Sequence, residues 1–286
     1  MATAGEGVAN FGQTADDLDE AFEEQFAILS NSYLRQVKVS VQGGSDVQAR
    51  LVGELLEEGV ARSRKLGTLP WDASLVAVVE LKIGAGELQR DLGHVIAIKQ
   101  ALGDCASVRV DVNQGWDESQ AIRACQVLGD NGIDLIEQPI ARINRAGQVR
   151  LNQRSPAPIM ADESIESVED AFSLAADGAA SVFALKIAKN GGPRAVLRTA
   201  AIAESAGIAL YGGTMLEGSI GTLASAHAFL TLNKLTWHTE LFGPLLLTEE
   251  IVQEAPQYRD FQLHVPRTPG LGLTLDEERL AFFRRP

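Results

Sequence analysis

Seven polar or ionisable residues recur at the ends of short apolar runs: Lys82, Asp111, Glu137, Asp162, Lys186, Tyr211 and Glu240. Successive members lie 29, 26, 25, 24, 25 and 29 residues apart, about the length of one strand, one helix and two loops. Taken singly, an acid after an apolar run is an ordinary strand end or helix cap. Seven in phase are a pattern. Parallel strands in a barrel place all their C-terminal ends on one face, where such enzymes keep their active sites. Carboxylates gathered there suit a hard divalent cation, which takes oxygen ligands. An inward, desolvated lysine beside them could give or take a proton.

The elements that must position these groups are clearest over residues 108–139. The run VRVDVN carries Asp111 near its end, and a turn with Gly115 follows. Asp117 stands where a helix N-cap belongs, ahead of ESQAIRACQVLG, and Asn131-Gly132 stops that helix. The run IDLIEQP then leads to Glu137. This is strand, helix, strand, the length of one parallel crossover unit.

The same reading extends both ways. Residues 74–83 form a valine-rich strand on which Glu80 and Lys82, two apart, face the same side. A helix follows over 88–102, with His94 read as a surface or packing residue. Later strands cover 157–162, 181–186 and 208–211, and the run over 234–240 ends at Glu240. Ser164 or Ser167 caps one helix, and Pro193 suits the first turn of another. The small-residue stretch 219–232 reads as a helix, as does DEERLAFFRR near the C-terminus, whose charges complement the helix dipole. Toward the N-terminus, a helix is expected over 14–30, a strand over 36–42 and a helix over 46–66.

Bulk properties narrow the function. A chain of 286 residues suits a barrel-sized domain plus a small extra piece, and 45% hydrophobic with 22% charged residues is ordinary for a globular protein. A formal charge of −13 argues against nucleic acid and anionic membrane surfaces as partners. Cys105 and Cys125 show no metal or disulfide spacing, which fits a reducing compartment. The opening MATAGEGVANFGQTADD has neither a basic nor an apolar leader region, so no signal peptide is expected. No apolar run reaches the roughly eighteen residues that span a bilayer.

The segments LKIGAGELQRDLGHVIAIKQALG, VRVDVNQGWD, GIDLIEQP, PIMADES, FALKIAKNGGP, LYGGTMLEGSIGTLASAHAFLTL, TELFGPLLL and PGLGLTLDEERLAFFRR follow one another in order. Together they resemble the enolase superfamily, and within it the muconate lactonising (muconate cycloisomerase) group. The resemblance implies an α/β fold, a TIM-type (β/α)7β barrel. It implies that Asp111, Glu137 and Asp162 match the family's metal triad, which holds Mn2+ or Mg2+. Lys82 matches the second lysine of the family's KxK motif, the general acid/base, and Lys186 the lysine on the opposite face of the substrate. Glu240 matches the acid at the end of the last strand. Asn113 and Glu163 match positions adjoining the ligands. The implied activity is that of an intramolecular lyase. It converts cis,cis-muconate, a small dicarboxylate, to muconolactone through a metal-stabilised enolate in catechol degradation. The family is homo-oligomeric and cytoplasmic.

Two departures from the family pattern shape the expectations. The KxK motif reads Glu80-Leu81-Lys82. Glu80 should favour protonated Lys82, repel an anionic substrate and compete for the metal. Residues 1–75 also show no recognisable match to the family's N-terminal capping domain. The expected organisation is therefore a helical segment without family match over 1–35, a barrel with its metal site over 36–244, and a C-terminal segment over 245–286 of the kind that packs with a cap. With a truncated or unrecognised capping region, an open site with weak muconate binding is expected. The alternatives are an impaired or non-catalytic relic of the family, or a chloromuconate cycloisomerase, an o-succinylbenzoate synthase or a dipeptide epimerase.

Overall fold

The structure is a computed structural model and describes residues 77–104, 106–259 and 262–284. The helices expected over 14–30 and 46–66, the strand over 36–42, the capping region and Cys105 lie outside those residues.

Strands and helices alternate: β1 (Ala77–Lys82), α1 (Leu88–Leu102), β2 (Ala106–Asp111), α2 (Glu118–Asp130), β3 (Leu135–Glu137), α3 (Arg145–Arg154), β4 (Ile159–Ala161), α4 (Val168–Asp177), β5 (Val182–Leu185). A one-turn helix α5 (Ile187–Asn190) leads into α6 (Pro193–Ser205), β6 (Ala209–Gly212) and α7 (Ser219–Phe229). A 3-10 turn (Gly243–Leu246), an antiparallel pair β7 (Gln257–Arg259) and β8 (Gln262–His264), and α8 (Glu277–Phe283) follow.

The six strands β1 to β6 form one parallel sheet in chain order. A single parallel bridge between Gly212 and Thr239 extends it. The expected strand over 234–240 is reduced to that bridge because His238 takes a φ of 63°, a left-handed conformation no strand can hold.

Alternation along each strand divides the sheet into two faces. On the outer face Val79, Leu81, Val108, Val110 and Ile136 pack with Leu92, Val95, Ile98 and Leu128 of α1 and α2. Farther round, Phe183, Leu185 and Leu210 pack with Val196, Ala200 and Phe229 of α6 and α7. Burying each large side chain in these layers contributes about 1.5–3 kcal/mol. On the inner face Leu135, Met160, Val182, Ala184 and Tyr211 form a separate apolar floor with Trp237 against it.

The sheet curls. The Arg109 guanidinium, from β2, lies 4.9 Å from the Trp237 ring centre and 5.8 Å from that of Tyr211 on β6, and donates to the Trp237 carbonyl at 3.3 Å. Strands far apart in the sheet therefore meet across its concave face. The described residues form a TIM-type half-barrel of six parallel strands.

Local sequence explains the element ends. Asp117 accepts from the Gln120 amide and Gln120 returns the bond, a capping box that opens α2. Of the two serines considered for α4, Ser167 is the cap, paired with Asp170 in the same way. Pro193 sits at the start of α6. His94 is buried in the α1 packing rather than on the surface. Three features carried no periodic signal. The first is α3, whose sequence is strongly polar and buries only Gly147, Gln148 and Leu151. The others are α5 and the β7–β8 pair, each only three or four residues long per element.

Candidate active site

The inner face carries its charges at the C-terminal ends of the strands. Strand register places Lys82 beside Asp111, and Asp111 beside Glu137. One step below, Glu80 stands beside Arg109. Asp162 follows β4, Lys186 follows β5, and Glu240 follows the bridge at Thr239. Glu80, Asp111, Glu137, Asp162, Lys186 and Glu240 are all buried. The seven in-phase positions thus converge on one rim, apart from Tyr211, whose ring joins the floor and whose hydroxyl bonds to Glu240.

Two sub-clusters form within the rim. In the first, oxygens of Glu80, Asp111 and Glu137 all lie within 4.8 Å of one another. The Lys82 ammonium bonds Asp111 closely and stands 3.8 Å from Glu80. In the second, Asp162 takes Lys186 on one carboxylate oxygen at 2.7 Å and Lys189 on the other at 2.8 Å. Lys189 also reaches the Asp162 carbonyl. The expected trio of Asp111, Glu137 and Asp162 therefore shares a rim. The tightest three-carboxylate group holds Glu80, with Asp162 turned to the two lysines.

Electrostatics follows from burial and neighbours. Burial pushes the Glu137 carboxyl well above its ordinary value, and Asp111, Glu80 and Asp162 beside it push further. Burial raises Asp111 as well, opposed by Lys82. Asp162 goes the other way: burial would raise it, but Lys189 and Lys186 outweigh that and hold it below the usual carboxylate range. Burial would lower Lys186, yet Asp162 and Glu137 hold its ammonium above the ordinary lysine range. Burial raises Glu163, with Asp162 adding to the effect.

The loops between strand and helix hold these groups in place. Asn113 donates its amide to Asp111 at 2.9 Å and its side chain to Glu163 at 3.2 Å. It adopts a φ of 44°, which asparagine tolerates. Two residues escaped the sequence reading. Gln138 accepts from the amides of Asp162 and Ser164, both at 3.0 Å, and so ties the end of β3 to the end of β4. Lys189 lies on the one-turn helix α5, three residues after Lys186, which stands just before that helix in extended conformation.

A curled parallel sheet with acids and lysines on its C-terminal rim defines a class of barrel enzyme. A model of the family described as Enolase C-terminal domain-like matches residues 63–279, and the chain belongs to that family, in its muconate cycloisomerase group. It is 88% identical over 208 residues to muconate cycloisomerase 1 of Pseudomonas putida, covering 73% of this chain and 56% of that protein. It is 53% identical over 215 residues to muconate cycloisomerase 1-2 of Acinetobacter lwoffii, covering 75% of this chain and 56% of that protein. The solved structure of muconate lactonizing enzyme from Pseudomonas putida superposes with a TM-score of 0.75 at 72% identity, covering 87% of this chain and 66% of the other. The chain spans a little over half the length of the curated relatives it matches.

Proposed function

We propose that this protein converts cis,cis-muconate to muconolactone, as an intramolecular lyase of catechol degradation. The observation that carries the reading is the rim, where two lysines flank buried carboxylates. The names of the relatives, muconate cycloisomerases, support the same substrate.

The donor set fits a divalent cation. Burial raises Glu137, with the carboxylates beside it adding to the effect, and all-oxygen ligands are what Mg2+ and Mn2+ take. In this reading Asp111, Glu137 and Asp162 hold Mn2+ or Mg2+, with Asn113 and Glu163 orienting them. The bound cation supplies Lewis-acid stabilisation of negative charge on a substrate carboxylate. One substrate carboxylate adds through oxygen to the distal double bond. A C–O bond forms, and the π electrons move to the carbon α to the other carboxylate. Lys82 gives its proton to that carbon, and solvent restores the ammonium. Both Asp111 and Glu80 lie within ion-pair distance of the Lys82 ammonium. Lys186, held as an ammonium, attracts the dicarboxylate from the opposite side. Glu240 keeps the Tyr211 hydroxyl oriented.

The wider assignments belong to the same reading. The six described strands belong to a (β/α)7β barrel that carries the metal site, and 245–286 is a C-terminal segment of the kind that packs with a cap. The protein works as a homo-oligomer in the cytoplasm. Among the described residues no helix is long and apolar enough to cross a membrane. The test is loss of the muconate diene absorbance with Mn2+ present. Consumption by the protein, and none by Lys82→Ala, is expected. No consumption by the unsubstituted protein at any metal concentration would remove the reading.

A further inference from the structure

Glu80 stands where the family motif carries a lysine, yet its carboxylate does not turn away from the site. It is buried in the middle of β1 and faces inward, and its oxygen lies within 4.8 Å of donor oxygens of both Asp111 and Glu137. Two oxygens bound to one Mn2+ or Mg2+ at about 2.1 Å are separated by about 3.0 Å when adjacent and about 4.2 Å when opposed. Three donors already within 4.8 Å need only small side-chain rotations to meet those spans. The ammonium of Lys82 stands against both Glu80 and Asp111. We propose that Glu80 is itself a ligand of the divalent cation, joining Asp111 and Glu137 from below the rim. This rests on the metal assignment made above and extends it to a residue the family motif does not use for that purpose. The cation then takes one more anionic ligand and one fewer water. Its hold on the protein tightens, and its pull on a substrate carboxylate weakens.

The experiment titrates Mn2+ into the full chain and follows free ion by electron paramagnetic resonance. Water-proton relaxation counts the waters bound directly to the metal. Glu80→Ala and Glu80→Val remove the donor, and valine keeps the strand preference of its neighbours. Circular dichroism reports the fold. In either folded variant the count of bound waters should rise by one, with Mn2+ binding weakened at least about tenfold. An unchanged water count overturns the proposal even if affinity falls, because the glutamate then acts only as a distant charge. Loss of fold in both variants without metal also overturns it, since a residue placed to hold a cation is not needed by the apo barrel. A full chain that binds no Mn2+ overturns this inference together with the metal assignment. Mn2+ bound with an unaltered water count removes this inference alone.

Discussion

At the scale of the residue, the charge at position 80 decides more than any other. Glu80 lies 3.8 Å from the Lys82 ammonium and within the carboxylate group of the rim. In the proposed reaction, a negative charge there opposes the negative charge that develops on the substrate. At an effective dielectric of about 20 and a separation of about 4 Å, one such interaction is worth roughly 4 kcal/mol. Even half of that corresponds to well over tenfold in rate, at about 1.4 kcal/mol per decade. Glu80→Lys is therefore expected to raise muconate turnover by at least about tenfold in steady-state assays, with Lys82→Ala inactive in either background. Unchanged turnover in Glu80→Lys, with Lys82→Ala still inactive, would make Glu80 a bystander. The residues of this rim were legible because each closes an apolar run at a regular interval. Lys189 was not, because it stands in what reads as a glycine-flanked loop, and only the structure makes that loop a helical turn. Gln138 was equally silent, since a glutamine before a proline carries no period of its own.

At the scale of the element, the end of β6 holds the end of β5 in place. Gly213 donates its amide to the Leu185 carbonyl at 2.9 Å, just before Lys186. A Cβ at Gly213 would lie 2.6 Å from Cε and 3.1 Å from Cγ of Lys186. That side chain is flexible, so it would move rather than unfold the strand, and its ammonium would leave Asp162. Misplacement by about an ångström can cost on the order of a hundredfold in rate. Gly213→Ala should lower kcat by at least about tenfold while the melting temperature stays close to the parent's. Equal kcat in the two proteins would show that Lys186 has no need of its position. Strands and helices were largely readable, since β1 to β6 are apolar runs and α1, α2 and α4 are amphipathic with capping residues. The run over 234–240 shows the limit. Its composition suits a strand, but the positive φ of His238 leaves only one bridge, and backbone handedness at a histidine is invisible in sequence.

At the scale of the whole molecule, the acids of the rim set the response to metal. Burying carboxylates together costs stability unless a cation joins them. Mn2+ at about 100 times its dissociation constant should stabilise the protein by roughly 2.7 kcal/mol, a rise in melting temperature of about 5–10 °C for a chain of this size. Scanning calorimetry with and without a chelator measures it. A melting temperature indifferent to Mn2+ would count against a metal centre altogether, and Asp111→Asn should remove most of the shift.

The contact between Arg109 and Trp237 has a meaning for how the chain reaches this shape. Every strand of the sheet pairs with the next in sequence through a single crossover, so each pairing closes a loop far shorter than the span from Arg109 to Trp237. Arg109 and Trp237 are 128 residues apart, and their meeting closes the concavity. The entropy of loop closure, small at each pairing, is greatest at this step. Asp111, Glu137 and Asp162 stand at the ends of three successive strands, joined by those pairings. The chain can thus bring its acids together while the sheet is still an open trough, ahead of the contact between Arg109 and Trp237.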